Sequence, residues 1–117
     1  MSDELSFCRG DVVLVPFPFI TDFGQSKPRP ALVIQNDVGN RFSPNLIVAA
    51  ISNHVPDRVY PTNHHLQAGT AGLDRDSVVL ASVILTIPKS SVLQHLGHLD
   101  EATMQAVDAC LRVSLAL

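Results

Sequence analysis

Long hydrophobic runs, an excess of basic residues and metal-type cysteine spacings are all missing from this chain of 117 residues. There is no stretch of about 18 consecutive apolar residues, so no membrane-spanning helix is expected. Residues 1–4 are acidic where a secretion signal would be basic, and we therefore expect a cytoplasmic protein. Cys8 and Cys110 lie near opposite ends of the chain, and we interpret both as buried free thiols. No metal or cofactor is expected.

The formal net charge of −3 argues against indiscriminate nucleic-acid binding, because non-specific affinity comes mostly from neutralised phosphates. The charge is unevenly distributed, however. Between residues 27 and 65, four Lys and Arg residues are set against two Asp residues, a local net charge of +2 that leaves −5 for the rest. His54, His64 and His65 fall in the same stretch. Such a basic patch fits a small polyanionic ligand, or a larger one that is contacted locally.

Hydrophobic patterning predicts a single, mostly β domain over residues 1–117. The strands are predicted at residues 11–17, 29–36, 45–52 and 59–66, followed either by two strands at 77–81 and 83–87 or by one long strand bent near Ser82. Loops are predicted at residues 20–28 and 68–72. Five or so short strands favour a partly closed barrel.

Two helices are predicted towards the end of the chain. A short one covers residues 89–96 and is ended by Gly97. A longer one begins near Asp100, whose side chain can cap its first turn. Its apolar face, which we expect to cover the sheet or a partner subunit, consists of Met104, Val107, Leu111 and Leu115.

A hairpin is predicted from the strands at residues 29–36 and 45–52, with a turn at 37–44. If it is symmetric about the peptide bond between residues 40 and 41, the numbers of paired residues sum to 81. Arg29 then lies opposite Ser52, with their Cβ atoms about 5 Å apart. A slip of one residue would place the two side chains on opposite faces. A guanidinium beside a hydroxyl is a pair that a phosphate-handling site can use.

Several motifs occur in an order typical of one protein family: RGDVV (9–13), RPALVIQND (29–37), GNRFSP (39–44), IVAAIS (47–52), YPT (60–62), DRDSVVL (74–80), TI (86–87) and HLD (98–100). Through them, residues 9–117 closely resemble the MazF/PemK family of type II toxin–antitoxin endoribonucleases. The resemblance implies an SH3-like or CcdB-like small barrel of five to seven strands with a C-terminal helix. It also implies a homodimer and a cognate MazE-like antitoxin.

The activity implied by the resemblance is metal-independent, sequence-selective cleavage of single-stranded RNA. The 2′-OH attacks the neighbouring phosphodiester and leaves a 2′,3′-cyclic phosphate and a 5′-hydroxyl. Family members use an arginine in the Arg-Pro motif and a threonine or serine that ends the next strand, which correspond here to Arg29 and Ser52. Arginine offers fixed donors that match phosphate oxygens in pairs, and Pro28 and Pro30 should stiffen its backbone.

Further residues are expected to contact RNA: Gln25, Lys27, Asn53, His54, Arg58, His64 and His65. If the strand continued past Ser52, its period of two would place His54 on the same face, where an imidazole could support acid–base chemistry or phosphate binding. His64 and His65 are adjacent, so a strand would direct them oppositely and they make a poor metal pair.

Two other functions stay open at this point. A toxin similar to CcdB would poison DNA gyrase by binding it, although such a toxin requires no Arg29/Ser52 pair. A catalytically silent RNA-binding or antitoxin-binding regulator is the second alternative. It draws support from departures from the family pattern in the loop at 16–27 and at Ser82, Val83 and Leu85, where many members carry acidic or glutamine and arginine residues.

Overall fold

The computed structural model describes residues 6–16 and 27–117, which form six strands and two α-helices. The strands are β1 (Asp11–Pro16), β2 (Pro28–Val33), β3 (Asn45–Ser52), β4 (Asn63–Leu66), β5 (Ser77–Pro88) and β6 (Gln94–His98). Helix α1 (Asp37–Phe42) joins β2 to β3, and α2 (Glu101–Leu115) follows β6. Short 3-10 turns at Thr70–Gly72 and Lys89–Ser91 flank β5. Phe17 and most of the predicted loop at 20–28, including Gln25, lie outside the described residues.

All six strands belong to one antiparallel sheet with the order β4-β5-β3-β2-β1-β6. Strand β5 is the longest and pairs with β3 along its whole length, but the register shifts where Ala49 pairs with Ile84 and Ala50 pairs with Leu80. Residues 81–83 are therefore extra on the β5 side, and such bulges bend a strand. The alternative of one long strand bent near Ser82 is confirmed.

The two edges of the sheet approach each other through glycine. The 3-10 turn that follows β4 packs against β6, the opposite edge strand. A Cβ built on Gly97 would lie 2.5 Å from the carbonyl of Ala71, and one built on Gly72 would lie 2.2 Å from the carbonyl oxygen of Leu96. No larger side chain fits at such separations without a backbone shift. The sheet thus curls into a partly closed barrel, as predicted.

The two faces of the sheet bury separate apolar clusters. The first lies under α2 and contains, among others, Val12, Leu32, Ala49, Ile51, Val79, Met104 and Val107. The second lies on the other face and contains, among others, Val13, Val15, Ala31, Val33, Val48 and Ala50. Because neighbours along a strand alternate between the two clusters, the sheet is apolar on both faces, and each fully buried Val or Leu stabilises the fold by roughly 1.5–3 kcal/mol.

A helix replaces the predicted turn at 37–44. Asn36 begins it, since its side-chain oxygen accepts the backbone N–H of Gly39 at 2.7 Å. Asn40 is buried and donates to the carbonyl oxygen of Gln35 at 2.9 Å, while the Gln35 amide donates back to Asn40 Oδ1 at 3.0 Å. The turn-forming residues were recognised correctly, but they serve as caps and as a buried amide pair. Strand β2 consequently ends at Val33 rather than at residue 36.

The predicted helix at 89–96 is wrong. Only Lys89–Ser91 forms a 3-10 turn, and the chain then continues as the edge strand β6, within which Gly97 lies. Pairing with β1 overrides the local pattern, because β1 would otherwise leave its backbone groups unpaired at this edge. The strand predicted at 59–66 is shorter than expected and starts at Asn63. The predicted loop at 68–72 contains the 3-10 turn Thr70–Gly72.

Helix α2 agrees with its prediction. Asp100 caps it by accepting the N–H of Thr103 at 2.8 Å, which lowers the pKa of the Asp100 carboxyl. Met104, Val107 and Leu111 are buried as expected, whereas Leu115 is 52% exposed. Across the described ranges, no helix combines the length and hydrophobicity needed to cross a membrane.

The cysteines differ in burial. Cys110 is buried on the inner face of α2 as expected, but Cys8 is exposed, so the prediction of two buried thiols is wrong for Cys8. Desolvation, together with the nearby charges of Asp11 and Asp37, raises the pKa of the Cys8 thiol, and desolvation raises that of Cys110. A raised pKa lowers the thiolate fraction at neutral pH and hence the reactivity of both side chains.

Candidate active site

The start of β2 and the end of β3 meet at one end of the sheet. The observed pairs are Ala31 with Ala50, Leu32 with Ala49 and Val33 with Val48, and each pair of numbers sums to 81. The predicted register is therefore confirmed, even though a helix rather than a turn joins the strands. Continued by two residues, the same register places Arg29 opposite Ser52.

Arg29 and Ser52 also share a face. On β1, the partner of Arg29 is Val15, and Val15 belongs to the second apolar cluster with Ala31 and Ala50. Since side chains alternate along a strand, Arg29 lies on the face of Ala31, and Ser52 lies on the face of Ala50. Both residues are half-buried. The register thus keeps the two predicted catalytic residues on one face at one end of the sheet.

The Ser52 hydroxyl organises the chain that follows it. Its oxygen accepts the backbone N–H of His54 at 3.0 Å, and β3 ends at Ser52. A serine hydroxyl also carries one proton, so this contact leaves the O–H able to donate to a phosphate oxygen. His54 is exposed in the bend after the strand. The expectation that a continuing strand would bring His54 onto the face of Ser52 is wrong, because the strand stops two residues earlier.

A polar cavity of about 380 Å³ opens at this end of the sheet. It brings together three residues that were predicted to contact substrate, namely Lys27, Arg29 and Asn53, and it adds Arg75. Asp74 is the acidic residue in the lining, set against the three cations Lys27, Arg29 and Arg75. The cavity therefore offers a positively charged surface of the kind that a phosphodiester requires.

Arg75 was missed by sequence reasoning. It lies in the DRD motif at 74–76, where two flanking acids hide its charge from a local count. The loop is held in place by two contacts: the Ser77 hydroxyl donates to the carbonyl oxygen of Arg75 at 2.9 Å, and Asp76 accepts the N–H of Ala68 at 2.8 Å. Its long-range approach to β2 could be found only from the folded chain.

The remaining RNA-contact candidates separate into two groups. Arg58 and His65 line a smaller cavity of about 170 Å³ next to β4. His64 instead pairs with Val79, which is fully buried in the first cluster, so His64 lies on the other face of the sheet. Desolvation and the neighbouring His65 lower the pKa of His64. The structure does not bring His64 to the candidate site.

Within residues 6–16 and 27–117, no group of three His, Cys, Asp or Glu side chains is arranged to hold a metal ion.

Similarity to known proteins identifies the family. The family model for a "PemK-like, MazF-like toxin of type II toxin-antitoxin system" matches residues 8–115. Endoribonuclease EndoA of Bacillus subtilis (strain 168) is 44% identical over 109 residues, which cover 93% of this chain and 94% of that protein.

Solved structures share the fold. A mycobacterial endoribonuclease in complex with its cognate antitoxin matches with a TM-score of 0.77 at 23% identity, over 96% of this chain and 97% of that chain. MazF (Form-I) from Deinococcus radiodurans matches with a TM-score of 0.77 at 21% identity, over 97% and 100%. With the family model covering nearly the whole sequence and EndoA 44% identical, this chain belongs to the PemK-like, MazF-like toxins of type II toxin–antitoxin systems.

Proposed function

We propose that this toxin is a metal-independent, sequence-selective endoribonuclease that cleaves single-stranded RNA. The similarity to EndoA supports the activity. The observation that carries the site is the register between β2 and β3, whose constant sum of 81, continued by two residues, supports Arg29 opposite Ser52. Arg29 also lines the polar cavity together with Lys27 and Arg75, whereas Ser52 is not among the residues that line it. We also infer that residues 1–117 form one toxin domain, since the family model spans 8–115.

The reaction needs little covalent chemistry from the protein. The ribose 2′-OH attacks the adjacent phosphorus, the bond to the 5′ oxygen of the next nucleotide breaks, and a 2′,3′-cyclic phosphate and a 5′-hydroxyl form. Negative charge grows on the phosphate oxygens during attack. The Arg29 guanidinium binds two of these oxygens, and the Ser52 hydroxyl donates to a phosphate oxygen or positions the 2′-OH. One fixed donor of this kind is worth on the order of 10²–10³ in rate.

Proton transfer requires a further group, because arginine stays protonated at every physiological pH and an unaided serine is a poor base. His54 is a titratable candidate two residues after Ser52, and its backbone N–H donates to the Ser52 hydroxyl oxygen. We propose a supporting role for it in acid–base chemistry or phosphate contact. An unchanged pH–rate profile in His54→Ala would remove that role. Asn53, Arg58 and His65 are proposed to contact the flanking nucleotides, as are Lys27 and Gln25.

Incubation of the purified protein with single-stranded RNA in EDTA tests the proposal. The wild type should release fragments that end in a cyclic phosphate. Arg29→Ala should lower the rate about 10²- to 10³-fold at an unchanged unfolding temperature. Arg29→Lys should restore only part of the rate, because an ammonium cannot bind two oxygens as a planar fork.

Arg41→Ala is the matched control. Arg41 is exposed on α1 at the opposite end of β2, with its guanidinium carbon 5.2 Å from the Phe42 ring centroid. This variant removes the same charge and should cleave normally. If Arg29→Ala cleaves as fast as Arg41→Ala, the assigned site is wrong. If the wild type leaves RNA intact, trapped gyrase would favour the CcdB-like function, and stable RNA binding would favour a silent regulator.

We propose a homodimer and a MazE-like antitoxin as partners, and a cytoplasmic location where RNA is available. Val113, Leu115 and Leu117 are exposed at the end of α2, as expected of a chain that buries apolar surface against a second copy. The mycobacterial structure contains a cognate antitoxin. An acidic antitoxin segment over the basic cavity would compete with RNA, so its inhibition should weaken as salt is raised.

A further inference from the structure

The smaller cavity beside β4 has the size and lining of a site for a single ring system. It measures about 170 Å³ and is lined by Val55, Arg58, Tyr60, Asn63, His65 and Val78, among others. Pockets for drug-sized ligands measure about 300–1,000 Å³, so only a small group fits here. The lining combines an aromatic ring, apolar side chains and several hydrogen-bonding groups.

The cavity lies in line with the proposed catalytic pair. Val78 on β5 pairs with Ser52 on one side and with His65 on the other. Directly paired residues lie on the same face of a sheet, so these three residues form a row across β3, β5 and β4. Adjacent strands are about 4.8 Å apart, which places His65 about 10 Å from Ser52. One nucleotide can span that distance from its phosphate to the far edge of its base.

The aromatic residue of the cavity is held by its own turn. The backbone N–H of Asn63 donates to the carbonyl oxygen of Tyr60 at 3.0 Å, and the N–H of Ala81 donates to the carbonyl oxygen of Thr62 at 2.9 Å. These bonds attach the turn to β4 and β5. Tyr60 is nevertheless 43% exposed, so part of its ring is open to a ligand. A half-open ring on a tethered turn is a suitable stacking surface.

We propose that this cavity is a nucleobase subsite for a nucleotide adjacent to the scissile phosphate. The base stacks on Tyr60, and its edge meets the hydrogen-bonding groups of Asn63 and His65, the mode by which proteins recognise unpaired RNA bases. Arg58 lies at the rim, where its charge attracts the backbone. A bare phosphate would gain nothing from the aromatic ring. The proposal rests on the proposed ribonuclease function, because it takes Ser52 as the position of the scissile bond.

Affinity for a non-cleavable RNA measures the subsite directly. The probe is a single-stranded oligonucleotide that spans the cut, with 2′-deoxyribose at the attacking position. Tyr60→Ala should bind it about 5- to 150-fold more weakly, the range that loss of one base–aromatic stack produces. Tyr60→Phe should bind like the wild type. Should Tyr60→Ala fail to fold, Tyr60→Leu retains apolar bulk without a π face and should show the same loss.

The matched control is Phe42→Ala, which truncates another exposed aromatic at the opposite end of the sheet and should leave affinity unchanged. An abasic scan then locates the base. Its removal at one position next to the cut should weaken wild-type binding by the same factor as Tyr60→Ala, and should weaken Tyr60→Ala no further. Unchanged affinity of Tyr60→Ala, or independent losses at every position, would overturn the subsite.

The two proposals can fail separately. If the wild type cuts the all-ribose RNA but Tyr60→Ala binds and cuts like the wild type, only the subsite is refuted. If the wild type never cuts RNA while the abasic scan still depends on Tyr60, the cavity binds a nucleobase but not next to a scissile phosphate, and the ribonuclease function is refuted.

Discussion

Replacement of Asp11 by alanine should destabilise the fold more than any change to the histidines that surround it. The carboxylate is buried at the start of β1, with 4% of the residue exposed. One of its oxygens accepts the backbone N–H of Cys8 at 2.8 Å and lies 3.2 Å from His95 Nε2. The other lies 2.7 Å from His98 Nδ1. A single side chain therefore joins the chain before β1 to the edge strand β6.

The three contacts are expected to contribute different free energies to the stability of the fold. A hydrogen bond from an amide to a buried carboxylate contributes about 1.5–3 kcal/mol. The side chains of His95 and His98 are 54% and 53% exposed, so water screens both contacts and each contributes about 0–1 kcal/mol. Asp11→Ala should therefore lower the free energy of unfolding by about 3 kcal/mol. Asp11→Asn keeps an acceptor for the Cys8 amide and should cost less.

Urea unfolding of the four variants, with the slope of each transition compared, provides the measurement. The expected order of destabilisation is Asp11→Ala, then Asp11→Asn, then His95→Ala and His98→Ala at similar, small values. A change within about 0.5 kcal/mol for Asp11→Ala would show that the carboxylate does not hold β6. A loss in His98→Ala as large as that in Asp11→Ala would show that the contact to His98, rather than the amide bond from Cys8, dominates.

Three shorter predictions concern other parts of the molecule. Gly72→Ala should lower the unfolding free energy by about 1–3 kcal/mol more than Gly69→Ala, since both have positive φ but only Gly72 would meet the Leu96 carbonyl; urea unfolding measures the difference. Because the lowered pKa of His64 makes the unfolded chain bind its proton more readily, stability should fall as pH drops below 6.5, and His64→Gln should flatten that slope in pH-dependent unfolding. Arg75→Ala should weaken RNA binding and reduce the salt slope of log K by about 0.7, measured by titration at several salt concentrations.

The local sequence pattern was sufficient to predict the structure where contacts between residues close in sequence determine it. The hairpin register followed from the distribution of turn-forming residues around its centre, and the cap at Asp100 followed from its position before an apolar helix. The local pattern failed to predict the structure where pairing with another strand determines it. The segment 94–98 contains no strong strand signal of its own, and it becomes a strand because β1 would otherwise be an open edge. The turn at 37–44 became a helix because Gln35 supplies a buried amide partner that no local pattern shows.

The candidate site likewise contains residues whose placement follows from local pattern and residues whose placement depends on the fold of the whole chain. The placement of Arg29 opposite Ser52 was predictable because one pair of strands carries both residues, and their separation depends on a single register. Arg75 and Tyr60 could not be assigned, because each reaches its own cavity through a loop whose path depends on the whole sheet. The alternation of side chains along a strand predicted that His64 and His65 lie on opposite faces of the sheet. Only the observed pairing of β4 with Val78 and Val79 shows that His65 is the one on the face of Ser52.

The contacts that tether the start of β1 lie at the end of β2 opposite the proposed chemistry. Asp11 and α1 both adjoin the end of β2, and the backbone N–H of Gly10 donates to the carbonyl oxygen of Val33 at 2.9 Å. Arg29 lies four residues earlier on β2, roughly 13 Å away. Changes separated by more than about 7–10 Å, with no shared partner, usually add. Asp11→Asn and Arg29→Ala combined should therefore show the stability loss of the first and the rate loss of the second, and any excess would mean that the tethering end positions the proposed catalytic arginine.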